Sequence, residues 1–228
     1  MTRVLGVDAC KAGWVGVLLN DGEVSAFVAG SIDQLVAQAG SPESLDVIGV
    51  DMPIGLPDTA PRQADLLARS AIGRLSSSVF TTPVRAALLA PSHADAVVVN
   101  RELTGQGISI QAYGLRGKLF EIDNWARRSD SLVVEVHPEV SFAQLAGAPL
   151  TVRKSTWAGA ERRRALLAEA GIPLSGELGL ANQAVGVDDV LDAGAAAWSA
   201  LRVAQGLAIS LPSPPQTFAD SWPAAIWV

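Results

Sequence analysis

Short apolar runs separated by polar turns fill the first fifty residues and predict three strands, a helix and a fourth strand. The turn at Asn20–Gly22 is a strong hairpin signal. Ser31 suits the N-cap of a helix over Ile32–Gln38, and a helical crossover favours parallel pairing of the fourth strand with the first. The four strands are expected at Val4–Val7, Trp14–Leu19, Val24–Val28 and Leu45–Val50.

A middle section of about residues 53–129 follows the fourth strand, first rich in proline and glycine and then helical in its periodicity. It predicts a helical insertion, after which a fifth strand is expected at Leu132–Val136 and a long last helix at Val187–Gly206. The pattern favours one α/β domain over residues 1–228, with a five-stranded mixed sheet in β-β-β-α-β order flanked by helices. The remaining helices are expected at Arg62–Ala71, Pro83–Leu89, Ala94–Thr104, Ile110–Asn124, Val140–Leu145 and Ala158–Ala170, and a strand-like run at Ala225–Val228.

The composition is typical of a folded protein that does not enter a membrane. Of the 228 residues 49% are hydrophobic and 18% are charged, which excludes a disordered chain. The N-terminus runs straight into a strand-like segment, and no apolar stretch has the length of a membrane span. The one cysteine, Cys10, excludes a disulfide framework and fits a reducing compartment. We therefore expect a cytoplasmic protein without membrane partners, and a homo-oligomer stays open.

Aspartates stand at the ends of two predicted strands and at the start of the last helix. Asp8 closes the first strand and Asp51 the fourth, so parallel pairing would set them side by side at the edge where α/β sheets bind ligands. Asp192 shares a helix face with Asp188 or Asp189. Clustered carboxylates demand a cation or raised pKa values, and oxygen ligands select Mg²⁺ or Mn²⁺. Each aspartate alone also fits a turn former or a helix cap.

Basic and hydroxyl residues of the middle section are candidates for substrate binding. Arg62, Arg74 and Arg85 lie there together with Ser78, and such a set suits phosphate or carboxylate groups. A solvated loop is the alternative interpretation of these residues.

The end of the fifth strand carries a second cluster, Glu135 to Glu139. Glu135 and His137 point to the same face of the strand, where His137 would shuttle a proton or orient a water. A histidine that only makes hydrogen bonds within the fold, without a role in catalysis, explains the sequence equally well. Pro138 and Glu139 suit the first turn of the next helix, so Glu139 is predicted to be structural.

The formal net charge of −6 excludes a protein that coats nucleic acid by bulk charge. The densest basic region is Arg153–Arg164, which includes Lys154 and suits either a nucleic-acid backbone or a solvated helix face. Several of the acidic residues are the proposed metal ligands, and bound cations would make the local charge positive. The charge therefore permits nucleic acid as a partner and keeps a small phosphorylated substrate as its rival.

Six segments span nearly the whole chain in a characteristic order: GVDACKAGW at Gly6–Trp14, IGVDMPIGLP at Ile48–Pro57, SSVFTTPVRAAL at Ser77–Leu88, NRELTGQGISIQA at Asn100–Ala112, EVHPEVSF at Glu135–Phe142 and DDVLDAGAAAWSA at Asp188–Ala200. In this order the chain resembles the family called domain of unknown function 429, described as predicted RNase H-like nucleases. The resemblance implies an RNase H-like fold and a nuclease dependent on Mg²⁺ or Mn²⁺.

The resemblance also implies a set of site residues. Glu135 would be a further catalytic acid, and Lys154 matches a basic position of the family pattern. The helix after the third strand offers only Asp33 where RNase H has a glutamate, so the layout is closer to the Holliday-junction-resolvase branch. The metal acids carried over by position are Asp8, Asp51 and one or two of Asp188, Asp189 and Asp192.

Three functions remain open. The first is a metal-dependent phosphodiesterase acting on DNA or RNA, with Asp189 and Asp192 completing a site built on Asp8 and Asp51. The second is a small-molecule phosphotransferase or phosphohydrolase, since actin-like ATPases share this sheet order. The third is a non-catalytic ligand-binding protein on the same scaffold. Convergence of the carboxylates to within about 5 Å of a common point would favour a metal site.

Overall fold

The computed structural model describes residues 2–40 and 44–228, which form an α/β fold around a mixed sheet. The strands are β1 (Arg3–Cys10), β2 (Gly13–Asn20), β3 (Glu23–Ala29), β4 (Val47–Val50), β5 (Leu132–Glu135), β6 (Ser210–Thr217) and β7 (Pro223–Trp227). They build one seven-stranded sheet in the order β3-β2-β1-β4-β5-β7-β6.

Helices cover both faces of this sheet. The helices are α1 (Ile32–Ala39), α2 (Gln63–Ile72), α3 (Arg85–Leu88), α4 (His93–Thr104), α5 (Ile110–Gly114), α6 (Arg116–Ala126), α7 (Pro138–Ala146), α8 (Trp157–Glu169) and α9 (Val187–Ala204), with a 3₁₀ helix at Gly73–Ser78. Helices α2 to α6 lie between β4 and β5, where the sequence predicted an insertion. None of the helices in the described part of the chain has the length and apolar character of a membrane span.

The predicted β-β-β-α-β order is confirmed. Strands β1, β2 and β3 form an antiparallel meander, and β4 pairs parallel to β1 on its other side. Asp21 and Gly22 adopt φ angles of 49° and 90°, which is the backbone that the predicted two-residue hairpin turn requires. The amide of Asp51 donates to the carbonyl of Val7 over 2.8 Å, so the parallel pairing continues to the aspartate itself.

Two predictions of secondary structure were wrong. The sheet has seven strands instead of five, because β6 and β7 extend it beyond β5. Strand β6 has the sequence SLPSPPQT, whose three prolines are not typical of a strand because they lack a backbone hydrogen-bond donor. A strand with prolines is tolerated at the edge of a sheet, which is where β6 lies. The single helix expected at Ile110–Asn124 is two helices, α5 and α6, and the glycines Gly114 and Gly117 beside the break favour the interruption.

Small residues bring α9 into direct contact with the middle of the sheet. A Cβ atom added to Gly6 on β1 would lie 2.0 Å from the amide nitrogen of Ala197, and one added to Gly49 on β4 would lie 2.6 Å from the carbonyl of Ala196. Only glycine permits so close an approach of two backbones. As a result, α9 crosses β1 and β4 and carries Asp192 to the ends of both strands.

We expect Gly6→Ala to lower the free energy of unfolding by about 3 kcal/mol, because the added methyl group would collide with the α9 backbone. Urea unfolding followed by circular dichroism measures this change. The matched control is Gly117→Ala on α6, where an added Cβ has no neighbour within 4 Å and alanine favours the helix. Equal stability of the two variants would contradict the close contact between α9 and β1.

Candidate metal centre

Asp8, Asp51 and Asp192 come together at the carboxyl ends of β1 and β4. Asp8 lies near the end of β1, Asp51 directly follows β4, and Asp192 lies in the second turn of α9. One carboxylate oxygen of each lies within 4.8 Å of those of the other two. The side chains of Asp8 and Asp192 are buried, and that of Asp51 is half-buried. The convergence that the sequence predicted for the ends of the first and fourth strands is therefore present.

The two carboxylate oxygens of Asp192 have different surroundings. Its Oδ2 accepts a hydrogen bond from the ammonium group of Lys154, whereas its Oδ1 is buried and has no hydrogen-bond partner among the described residues. An unpaired buried carboxylate oxygen is costly. A cation shared with Asp8 and Asp51 would satisfy it, and an all-oxygen donor set suits Mg²⁺ or Mn²⁺. The residues present therefore fit a divalent metal.

Burial raises the pKa values of all three carboxyls, and repulsion from neighbouring carboxylates adds to it. Burial is the largest cause for Asp8, followed by the charges of Asp51 and Asp192. Burial also raises the pKa of Asp51 well above its usual value, with Asp192 as the next cause. The pKa of Asp192 is raised to about 6 by burial, although Lys154 opposes the shift. The ionised cluster is therefore unstable without a cation, and a bound cation or protons would stabilise it.

Lys154 supplies one positive charge to this cluster. Its side chain is 38% exposed, and its ammonium group binds the buried Asp192. Burial lowers its pKa, but the charges of Asp192, Asp51 and Asp8 raise the pKa by more, so that it lies well above its usual value. Lys154 therefore stays protonated throughout the physiological pH range.

The three aspartates line a cavity of about 240 Å³. Ser78, Val79 and Phe80 of the middle section line it, together with His137 and Lys154. Of the predicted substrate-binding residues, the structure thus brings Ser78, His137 and Lys154 to the acidic centre. Val79 and Phe80 were not predicted, although they stand in the SSVFTTP segment of the family pattern.

Glu135 also lines the cavity, but it is held in a buried ion pair. Its Oε2 accepts hydrogen bonds from Arg62 and from the amide of Ile54, the latter over 2.7 Å. Arg62 is fully buried and also contacts Thr82 and Asp65. Burial raises the pKa of Glu135 to about 7, against the lowering effect of Arg62. The pair joins β5 to the middle section, and Glu135, unlike Arg62, is among the residues that line the cavity.

The aspartates at the start of α9 differ in their surroundings. Asp189 Oδ2 accepts from the amide of Gly186 over 3.1 Å and so caps its own helix, while the residue also borders the cavity. Asp188 borders a neighbouring surface pocket beside Arg153. Within the described residues, the group close enough to share an ion contains Asp192 and leaves out Asp188, Asp189 and Glu135.

Arg74 and Arg85 lie away from the acidic cavity. Arg74 is exposed on the 3₁₀ helix. Arg85 forms ion pairs with Asp123 at 2.8 Å and with Asp220 at 3.4 Å. The first pair lies within the middle section and the second connects it to the segment before β7, which is a structural role.

His137 is half-buried, and its Nδ1 atom has no hydrogen-bond partner within the described part of the chain. Burial, followed by the charge of Lys154, lowers its pKa to about 4. The imidazole is therefore neutral at pH 7. A neutral ring suits the predicted orientation of a water better than the predicted proton shuttle, which needs a pKa near the working pH.

The basic region around α8 is only partly at the surface. Arg163 is fully buried and forms a bidentate pair with Glu139, with two distances of 2.7 Å. The prediction of a solvated or nucleic-acid-facing residue was wrong for Arg163, and the prediction of a structural Glu139 is confirmed. Arg162 and Arg164 are exposed, and each pairs with a glutamate of the same helix.

One family model matches the chain, over residues 6–217, and it is described as a protein of unknown function, domain of unknown function 429. No curated protein and no solved structure matches the chain.

Proposed function

The chain belongs to the family of domain of unknown function 429, and we propose that it hydrolyses phosphodiesters as a divalent-metal-dependent nuclease of RNase H-like type. The observation that carries this proposal is that carboxylate oxygens of Asp8, Asp51 and Asp192 lie within 4.8 Å of one another, and that one buried oxygen of Asp192 has no partner among the described residues. The β-β-β-α-β order and the position of the acids at the carboxyl ends of parallel strands support the fold assignment.

The chain's own groups suit this chemistry. Asp8, Asp51 and Asp192 would hold Mg²⁺ or Mn²⁺, which when bound supplies Lewis-acid charge for activating water and for the phosphoryl oxygens. Lys154 offers a permanent positive charge to the same oxygens, and neutral His137 is placed to orient a water. Hydrolysis forms one bond from the water oxygen to phosphorus and breaks the P–O ester bond, and the leaving oxygen takes up a proton.

A small phosphorylated substrate is the second candidate. The cavity beside the acids has a volume of about 240 Å³, which is enough for one small chemical group of a substrate. The net charge of −6 opposes broad contact of the protein with nucleic acid. The same acidic centre would then act on a nucleotide or a phosphoester.

Turnover assays decide between these candidates. The substrates are labelled single-strand, duplex, hybrid and branched nucleic acids beside a panel of nucleotides and phosphoesters, each with Mg²⁺ or Mn²⁺. We expect metal-dependent cleavage of a nucleic acid that falls at least ~100-fold in Asp8→Asn, because a metal site contributes several kcal/mol to transition-state stabilisation. Cleavage that survives this substitution would come from a contaminant. Metal binding without turnover of any substrate would instead favour a ligand-binding protein.

A further inference from the structure

Lys154 is built into the acidic centre as a fixed cation. Its ammonium group binds Asp192 Oδ2 and lies close enough to Asp51 and Asp8 to influence both carboxyls. A lysine in this position occupies one side of the Asp192 carboxylate. The other side, Oδ1, is the buried oxygen that has no partner within the described residues.

Two contacts anchor the backbone directly before Lys154. The carbonyl of Val152 accepts a hydrogen bond from Arg163 over 3.1 Å, and Arg163 is itself fixed by Glu139. The carbonyl of Arg153 packs so closely on Gly159 that a Cβ there would lie 1.9 Å from it. These contacts fix the backbone beside Lys154, so that the fold itself positions the ammonium group against Asp192.

Charge matching limits how many cations the centre accepts. The three converging carboxylates and the Lys154 ammonium carry a net charge of −2 when all are ionised, which one divalent cation neutralises. The two glutamates that also line the cavity, Glu135 and Glu139, are already paired with Arg62 and Arg163. Asp189 at its border accepts a hydrogen bond from the backbone of its own helix start. A second divalent cation would have to displace the ammonium or lie against it, and like charges at such distances repel strongly.

We propose that the centre binds one divalent cation, and that Lys154 supplies the positive charge which a second cation provides in two-metal sites. This inference rests on the proposed function and specifies its metal content. Asp192 would then interact with both positive charges, since its Oδ2 accepts from the ammonium and its Oδ1, which has no partner among the described residues, would be available to a cation.

The test is the number and affinity of Mn²⁺ ions bound by the full chain, measured by calorimetry and by paramagnetic resonance of free Mn²⁺. We expect one ion in the wild type and in Lys154→Arg, which keeps the charge. In Lys154→Met, which keeps much of the length without the charge, we expect the first ion to bind about tenfold more tightly and a second ion to bind at higher concentration.

The outcomes separate this inference from the proposed function. Two ions in the wild type, or one ion with unchanged affinity in Lys154→Met, would overturn the role of Lys154 and leave the proposed function standing. A wild type that binds no ion would overturn the metal-dependent function itself. Should Lys154→Met fail to fold, Lys154→Gln replaces it, and the wild-type count alone still tests the single-ion site.

Discussion

We expect Asp51→Asn to lower metal-dependent turnover at least ~100-fold and, in the same protein, to raise the stability of the metal-free state by about 1 kcal/mol. The loss of turnover follows because an amide replaces one of the three converging carboxylates. The gain in stability follows because desolvation and the nearby charge of Asp192 raise the pKa of Asp51, so that its ionised form is unfavourable. Opposite signs for activity and stability are characteristic of a binding site and unusual for a structural residue.

The stability of the metal-free protein is expected to fall as the pH rises. The folded-state pKa values of Asp8 and Asp51 lie well above 3.8, and that of Asp192 lies at about 6, so the folded chain retains protons that the unfolded chain has released. The stability that these groups contribute is present below pH 3.8 and is lost as pH rises through the folded-state values. Urea unfolding in a chelator should therefore show stability that falls above pH 4, with a shallower fall in Asp51→Asn.

Added Mn²⁺ should reverse the order of the two proteins. At a concentration about 100 times its Kd, the ion stabilises the wild type by about 2.7 kcal/mol, whereas Asp51→Asn gains much less. Asp33→Asn is the matched control, because Asp33 is exposed and pairs only with Arg128 at 3.3 Å within the described structure. A variant Asp51→Asn that is less stable than the wild type in chelator at pH 8 would contradict the view of Asp51 as a strained ligand.

The two strand-end aspartates could be predicted from the sequence because their positions depend on local signals. A strand that ends in aspartate, a hairpin and a helical crossover suffice to place Asp8 beside Asp51. The choice among the α9 aspartates could not be made in this way, since residues three and four apart share a helix face. It depends on the close contact of α9 with Gly6 and Gly49, which fixes the rotation of the helix on the sheet.

The buried arginines show the limit of such reasoning. Arg62 stands at the start of a predicted helix in the middle section, and its charge near hydroxyl residues suggested a residue that meets substrate. Its partner Glu135 lies 73 positions further along the chain, and no local pattern connects the two. The same holds for Arg163 and Glu139, which are 24 positions apart and were assigned separately to a basic region and a helix start. Pairings of this kind are set by tertiary packing.

Arg62→Met is expected to lower the free energy of unfolding by about 3–5 kcal/mol, because it leaves the buried carboxylate of Glu135 without its counter-ion. The loss should be larger at pH 8 than at pH 6. Burial already raises the pKa of Glu135 to about 7, and removal of Arg62 would raise it further, so the variant loses more stability as pH rises through this range. Chemical unfolding at the two pH values measures the difference.

Two further variants show whether the ion pair acts through structure. Arg74→Met changes an exposed arginine of the same middle section and should alter stability by no more than about 0.5 kcal/mol. The double variant Arg62→Met, Glu135→Leu replaces both charges with apolar groups and should recover most of the lost stability. It should also retain Mn²⁺ binding, since neither residue belongs to the three converging aspartates. Loss of Mn²⁺ binding in a folded double variant would instead place Glu135 among the metal ligands.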